Sequence, residues 1–175
     1  MISLELIEIL MPESSGLPIL EALKKARDIE EQLSKRYIQY AEFTDNEVAS
    51  SLFTRPASDC RKHSCMLDEL SGLLGNTTNL NYRGNLMPGR LPEFGSAIDQ
   101  PTAIETTYKI AKEHTAVEES VLQFYIDLSR VVPNDEAYGI LRRLIEDERS
   151  HHEMLDKLMS DLMELYGEKL ALDSE

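Results

Sequence analysis

Residues Asp147–Asp156 read DERSHHEMLD, and the pattern of this stretch predicts how the rest of the chain is arranged. Within it, Glu148 and His151 are three residues apart, so on an α-helix their side chains project from one face, one turn apart. Leucines continue the same face on both sides: Leu141, Leu144, Leu155, Leu158 and Leu162. A carboxylate and an imidazole on an otherwise apolar face are costly to bury unless a partner satisfies them. A metal ion would be such a partner.

The same ten-residue pattern occurs earlier in the chain. Residues Asp59–Asp68 read DCRKHSCMLD and align with the first stretch without gaps, with six of ten positions identical. A weaker echo precedes each stretch: Tyr37 follows Glu30 by seven residues, and Tyr125 follows Glu118 by seven. The chain is therefore predicted to contain two helical hairpins of one design, each of which needs the other to bury its apolar face.

Apolar residues at three- and four-residue spacing predict four helices. They are expected at about residues 18–43, 45–74, 102–131 and 135–166. Pro18 suits a first helical turn. Pro56 should kink or split the second helix, because proline removes a backbone donor. The tail from Gly167 is expected to fray.

A long connection rich in Asn, Gly and Pro spans residues 75–100. An antiparallel four-helix bundle with one long crossover accounts for it, because the chain must travel from one end of the bundle to the other. The alternative is a functional lid or a linker. Five apolar residues are expected to pin the crossover to the bundle: Tyr82, Leu86, Met87, Leu91 and Phe94. Residues 1–17 form an N-terminal extension, helical or extended, and residues 18–175 form the bundle.

The composition narrows the classes of function. Asp and Glu number 32 against 18 Lys and Arg, a formal net charge of −14. Such a surface repels DNA, RNA and anionic lipid, so we expect no nucleic-acid or membrane partner. Two cysteines in 175 residues do not make a disulfide scaffold, and no stretch resembles a signal peptide or a membrane span. The expected compartment is the reducing cytoplasm.

Six polar residues fall on the four inward helix faces, each near the middle of its helix: Glu30, Cys60, His63, Glu118, Glu148 and His151. In an antiparallel bundle they would share one level. Carboxylates and imidazoles together suit iron, manganese or zinc. Without metal, the buried carboxylates would repel one another and have to take up protons.

Other polar side chains are expected to support this level. Tyr37 and Tyr125 are predicted core residues whose hydroxyls orient the ligands. The inward face of the third helix is predicted to comprise Ile104, Tyr108, Ala111, Thr115, Glu118, Leu122 and Tyr125. His114 and His152 lie off the centre of their faces, so we expect them to be solvated or to lie behind the ligands.

This pattern resembles the ferritin-like superfamily, and within it the rubrerythrin-related proteins. Their di-iron site takes one Glu from each of two helices and a Glu-x-x-His pair from each of the other two. Glu30 and Glu118 match the lone glutamates, and Glu148 with His151 matches one pair. The resemblance covers residues 18–165 and implies a ferritin-like bundle that binds two iron ions, with zinc or manganese as alternatives.

The chain departs from that pattern at Cys60, which precedes His63 where the resemblance implies Glu. The Cys60 thiolate is a candidate ligand for a softer metal such as zinc, or the residue is a small buried hydrophobe. Asp59 is a second candidate replacement for the missing carboxylate, or else a structural cap or a partner of an arginine. The two cysteines cannot supply the paired Cys-x-x-Cys site of full rubrerythrins, so a peroxidase cycle would need an external electron donor.

Three functions are therefore open. The first is an oxidoreductase in which metals react with dioxygen or peroxide, held by Glu30, His63, Glu118, Glu148 and His151. The second is a bundle that holds zinc or a single metal without turnover. The third is an interaction module whose site has degenerated. A homodimer is expected in each case, because the N-terminal segment and the crossover offer apolar surface.

Overall fold

The computed structural model describes residues 17–43, 47–75, 80–83 and 103–172. Four helices make up nearly all of this part of the chain. Two strands of two residues each pair in one short antiparallel ribbon. The elements in order are β1 (Leu17–Pro18), α1 (Ile19–Phe43), α2 (Glu47–Leu74), β2 (Asn81–Tyr82), α3 (Ala103–Ser129) and α4 (Asp135–Leu172). The predicted all-α four-helix bundle is confirmed.

The helices of the first hairpin run in opposite directions, as residues that lie side by side demonstrate. Ser34 Oγ of α1 donates a 2.7 Å hydrogen bond to the carbonyl of Ala57 in α2. Nearer the turn, Ser50 Oγ of α2 donates a 2.9 Å bond to the carbonyl of Ala41 in α1. Later residues of α1 thus lie beside earlier residues of α2, so the two helices are antiparallel.

The direction of α3 follows in the same way. Tyr37 of α1 contacts Glu118 of α3, and Glu30 of α1 contacts Tyr125. Because α3 is therefore antiparallel to α1, it runs in the same direction as α2. The chain must travel the length of the bundle between the end of α2 and the start of α3, which is why it needs the long crossover that the sequence predicts.

The start of the crossover is tied to the start of α1. Leu17 and Pro18 pair antiparallel with Tyr82 and Asn81 in the short ribbon. The prediction that Pro18 opens the helix is wrong, because this pairing holds Pro18 in β1 and α1 begins at Ile19. Tyr82 is buried and packs edge-on against Phe124 of α3, with ring centroids 4.9 Å apart, so it pins the crossover as predicted. The other four predicted pinning residues lie outside the described residues.

Pro56 and the end of α4 can be compared with their predictions. Of the two outcomes predicted for Pro56, a kink or a split, the split does not occur, because helix α2 continues from Glu47 to Leu74. Proline removes only one backbone donor, and the buried packing on both sides of that position holds the helix together. Helix α4 ends at Leu172 rather than 166. Gly167 weakens a helix interior by only about 1 kcal/mol, which does not force it to end.

Large apolar side chains from all four helices fill the bundle interior. Fully buried examples are Leu23, Leu33, Phe53, Leu67, Leu70, Leu74, Phe124, Leu128, Ile140 and Leu141. Each such residue contributes roughly 1.5–3 kcal/mol through burial. These layers lie on both sides of the polar level and enclose it. Among the described residues, no helix combines the length and the apolar run that crossing a bilayer requires.

The start of α4 is fixed by a side-chain cap. Asn134 Oδ1 accepts a 2.7 Å hydrogen bond from the backbone nitrogen of Ala137, one of the donors that a helix start leaves unpaired. Asp135 and Glu136 place negative charge in the first turn, which favours the positive end of the helix dipole.

Replacing Asn134 with Ala should lower the free energy of unfolding by about 1 kcal/mol, because the cap is lost. The matched variant Asn134→Asp keeps a capping oxygen and should stay near the wild-type value. Urea denaturation of both variants measures the difference. An equal loss in both would contradict the assignment of the cap.

Candidate metal centre

The six inward polar residues lie together at one level of the bundle. Each is almost completely buried, with exposures of 3% for His151 and 0% for Glu30, Cys60, His63, Glu118 and Glu148. All four helices contribute, because α1 and α3 each supply one glutamate and α2 and α4 each supply a pair three residues apart. The structure thus brings together all five predicted ligands and Cys60.

These residues form two groups of three. The first triad is Glu30, His63 and Glu148, and one ligand atom from each lies within 4.8 Å of the others. The second triad is Cys60, Glu118 and His151, which satisfies the same distance limit. Each triad combines three helices, because the pairs on α2 and α4 are divided between the triads.

Tyrosines support the two lone glutamates crosswise. Tyr37 of α1 donates a 2.6 Å hydrogen bond to Glu118 Oε1 of α3, and Tyr125 of α3 donates a 2.7 Å bond to Glu30 Oε1 of α1. Burial and the charge of the partner glutamate raise the pKa of both hydroxyls well above the ordinary value. The tyrosines therefore keep their protons and remain donors, as expected for residues that orient ligands.

Aspartates support the two histidines in the same crosswise manner. His63 Nε2 of α2 lies 3.3 Å from Asp147 Oδ2 of α4, and His151 Nε2 of α4 lies 3.5 Å from Asp59 Oδ2 of α2. Asp59 also accepts a 2.7 Å bond from Lys62 Nζ. Each outer ring nitrogen thus faces a carboxylate, which leaves Nδ1 directed toward the triads.

Asp59 therefore lies behind the His151 ring, on the side opposite the nitrogen that is directed toward the second triad. Asp147, which contacts His63 in the same way, is a supporting residue that the sequence analysis does not single out. The available signal was its alignment with Asp59 in the repeat, because an aspartate directly before each pair can reach the histidine of the opposite hairpin.

The inner ligand atoms lack hydrogen-bond partners. Six buried atoms of five residues are in this position: Glu30 Oε2, His63 Nδ1, Glu118 Oε2, both oxygens of Glu148 and His151 Nδ1. His63 Nδ1 lies 2.9 Å from Glu148 Oε1 and 3.3 Å from Glu30 Oε1, but it is not aligned for a hydrogen bond with either. Buried polar atoms without hydrogen bonds are costly, and cations held by the two triads would satisfy them. The residues present therefore fit a metal centre.

The charges within the centre depend strongly on one another. Burial raises the pKa of Glu118 well above its usual range, and the charge of Glu148 raises it further. Burial and the charge of Glu30 likewise raise the pKa of Glu148. Burial acts against the ionisation of Glu30 as well, but the close approach and charge of His63 outweigh it and lower that pKa. The metal-free centre thus retains protons, which metal ions would displace on binding.

His63 provides the positive charge that holds these carboxylates together in the absence of metal. Burial lowers its pKa, but the adjacent carboxylates of Glu148 and Glu30 outweigh burial and raise the pKa to about 11. A protonated imidazole cannot ligate a metal at that nitrogen, so the proton and a metal ion compete for the same position.

His114 agrees with the second of its two predicted placements, behind the ligands, but its burial changes the predicted face of α3. It is 1% exposed, so it is not solvated, and its ring lies 4.7 Å from Tyr37 and 5.1 Å from Tyr40 between centroids. It lies one turn before Glu118, behind the tyrosine that holds that ligand. The face is rotated relative to the prediction: His114 and Val121 are buried, whereas the predicted Thr115 and Leu122 are half-buried.

The fold and the two triads together define a ferritin-like four-helix bundle with candidate metal-binding groups. The sequence matches the rubrerythrin family over residues 21–159, so the chain belongs to that family. No curated protein matches the sequence.

Solved structures share the fold. A candidate ferritin-like diiron-carboxylate protein of Thermotoga maritima is 17% identical, with a TM-score of 0.71 over 85% of this chain and 98% of that one. A hypothetical protein of Pyrococcus furiosus is 21% identical, with a TM-score of 0.68 over 86% of this chain and 98% of that one. At these identities the similarity establishes the common bundle alone.

His114 should make the protein sensitive to acid. Burial and the charge of Arg36 lower its folded-state pKa to about 3, against 6.5 for an ordinary histidine. Because the folded pKa is depressed, the stability it contributes is present above pH 6.5 and is lost as pH falls toward 3. Between pH 7 and pH 5 this loss should be about 2 kcal/mol.

Replacing His114 with Leu removes the titrating group, so this part of the pH dependence should disappear. His114→Gln packs differently but does not titrate either, so it should reduce the pH dependence of the free energy of unfolding by the same amount. Urea denaturation at several pH values tests both. If the free energy of unfolding of either variant changes with pH between pH 7 and pH 5 as much as that of the wild type, His114 is not the cause of this pH dependence.

Proposed function

We propose that the two triads bind a pair of metal ions, with iron as the redox metal, and that the protein oxidises ferrous iron or reduces dioxygen or peroxide. The observation that carries the proposal is the set of six buried ligand atoms without hydrogen-bond partners at one level of the bundle. Membership in the rubrerythrin family supports iron as the metal, and the diiron-carboxylate description of the Thermotoga maritima protein points the same way.

The residues of the triads would hold the metals. Glu30, His63 and Glu148 would form one position, and Glu118 and His151 would form the other, with Cys60 beside them. Bound iron supplies one-electron oxidation and reduction, which the side chains of this chain do not supply on their own.

The surrounding side chains would prepare the site in specific ways. Asp147 and Asp59 fix the outer nitrogens of the two histidines, so that Nδ1 of each ring is the atom offered to a metal. The tyrosine hydroxyls hold one oxygen of Glu30 and of Glu118 and leave the other oxygen unpaired. Complete burial keeps bulk water from these atoms, which strengthens every charge interaction within the centre.

Several finer features belong to the same proposal. A peroxide-reducing cycle would draw electrons from an external donor. The protein would work in the cytoplasm, and it would form a homodimer. Light scattering of the purified protein tests the oligomeric state directly.

The second candidate function is metal binding without turnover, and Cys60 is the observation that favours it. Its thiol belongs to the second triad, and sulfur ligands suit zinc, which has no redox chemistry. Metal analysis of protein purified in air distinguishes the two functions, because zinc without iron would support this alternative. A protein that takes up no metal after reconstitution would contradict both.

Replacing Glu148 with Gln should abolish iron-dependent chemistry, because Glu148 offers two unpaired carboxylate oxygens to the centre. Ferrous iron is added anaerobically to the metal-free protein, and oxygen or peroxide consumption is then followed after mixing. We expect a loss greater than the roughly 10- to 100-fold typical of residues that only support ligands.

The matched control is Glu153→Gln, which makes the same chemical change on the exposed face of the same helix. It should retain wild-type iron binding and consumption. Turnover that survives in Glu148→Gln, or that falls equally in the control, would rule out the proposed role of the centre.

A further inference from the structure

We infer that Cys60 is a metal ligand and that it makes the two metal positions chemically unequal, with zinc in the second triad and iron or manganese in the first. This inference rests on the proposed function in one respect, since it requires both triads to bind metal. It adds the identity of one ligand and the division of metals between the positions.

The position of the thiol carries the inference. A ligand atom of Cys60, one of Glu118 and one of His151 lie within 4.8 Å of one another, and none of these residues is more than 3% exposed. Cys60 also occupies the place in α2 that Glu148 occupies in α4, as the aligned repeats demonstrate. Glu148 belongs to the first triad and comes from α4, and Cys60 belongs to the second triad and comes from the corresponding place in α2.

The surroundings of Cys60 differ from those of an ordinary buried cysteine. A cysteine that serves as a small hydrophobe packs among apolar side chains. This one shares a triad with a carboxylate and an imidazole, and both offer unpaired inner atoms, Glu118 Oε2 and His151 Nδ1. An apolar filler would leave those two atoms unsatisfied, whereas a cation held jointly with the sulfur would satisfy both.

The donor sets then determine which metal each triad prefers. The first triad offers two carboxylates and one imidazole, a hard set that suits iron or manganese. The second triad offers sulfur, oxygen and nitrogen, and zinc is commonly held by three protein ligands of these types with a fourth position open. On zinc binding the Cys60 thiol loses its proton to solvent, and no electron is transferred.

Cobalt is the probe for the sulfur ligand, because it replaces zinc and gives a near-ultraviolet sulfur-to-metal absorption band. Metal-free full-length protein is titrated with cobalt chloride, and bound cobalt is measured independently. We expect the band in the wild type and its disappearance in Cys60→Ser, with zinc affinity reduced more than about tenfold. Cys65→Ser is the matched control, because Cys65 is an exposed cysteine on the same helix and its loss should leave the band unchanged.

Two further measurements make the test independent of how Cys60→Ser folds. X-ray absorption at the zinc edge of the wild-type protein should detect a sulfur neighbour after loading with equal amounts of zinc and iron. Cys60→Glu restores the residue type found in the other repeat, so it should bind cobalt without a sulfur band and accept iron in both positions.

Wild-type protein that binds cobalt or zinc without a sulfur signal would overturn the inference, and so would a band that persists in Cys60→Ser. These readouts do not depend on turnover. The proposed function fails separately, if iron-loaded protein with a normal sulfur signal consumes neither oxygen nor peroxide.

Discussion

Three glutamates enclosed at one level of a helical bundle cannot all remain free anions, because burial and mutual repulsion oppose their ionisation. The side chains around the three glutamates lower the free-energy cost of burying them. His63 carries positive charge between two of the carboxylates, and tyrosine hydroxyls bind one oxygen of Glu30 and of Glu118. These partners satisfy only part of the centre. The atoms that remain unpaired are directed toward one another, which is the arrangement that a cation requires.

The supporting contacts all cross from one hairpin to the other. Each tyrosine bonds the glutamate of the opposite hairpin, and each aspartate faces the histidine of the opposite hairpin. A hairpin alone would leave its glutamate and histidine without these partners, so assembly of the centre and assembly of the bundle are one event. Metal binding should therefore stabilise the contact between hairpins more than either hairpin itself.

Much of this could be predicted from the sequence, because the repeat fixes the register of the helices. Once Asp59–Asp68 is aligned with Asp147–Asp156, the inward positions of one pair identify those of the other. Features that depend on contacts between distant segments were not predictable. Pro18 pairs with Asn81 in a ribbon that no local pattern marks. The burial of His114 depends on the rotation of α3, and the division of ligands into crosswise triads depends on how four helices pack.

The crossover has a consequence beyond connecting two parallel helices. If the two hairpins were separate molecules of identical sequence, every substitution would appear twice, and the paired positions of the centre could never differ. Covalent linkage removes that constraint, because each copy can change while the other is retained. The difference between Cys60 and Glu148 is such a change, confined to one side of an otherwise two-fold arrangement. A protein joined in this way can tune one metal position while the neighbouring position keeps its chemistry.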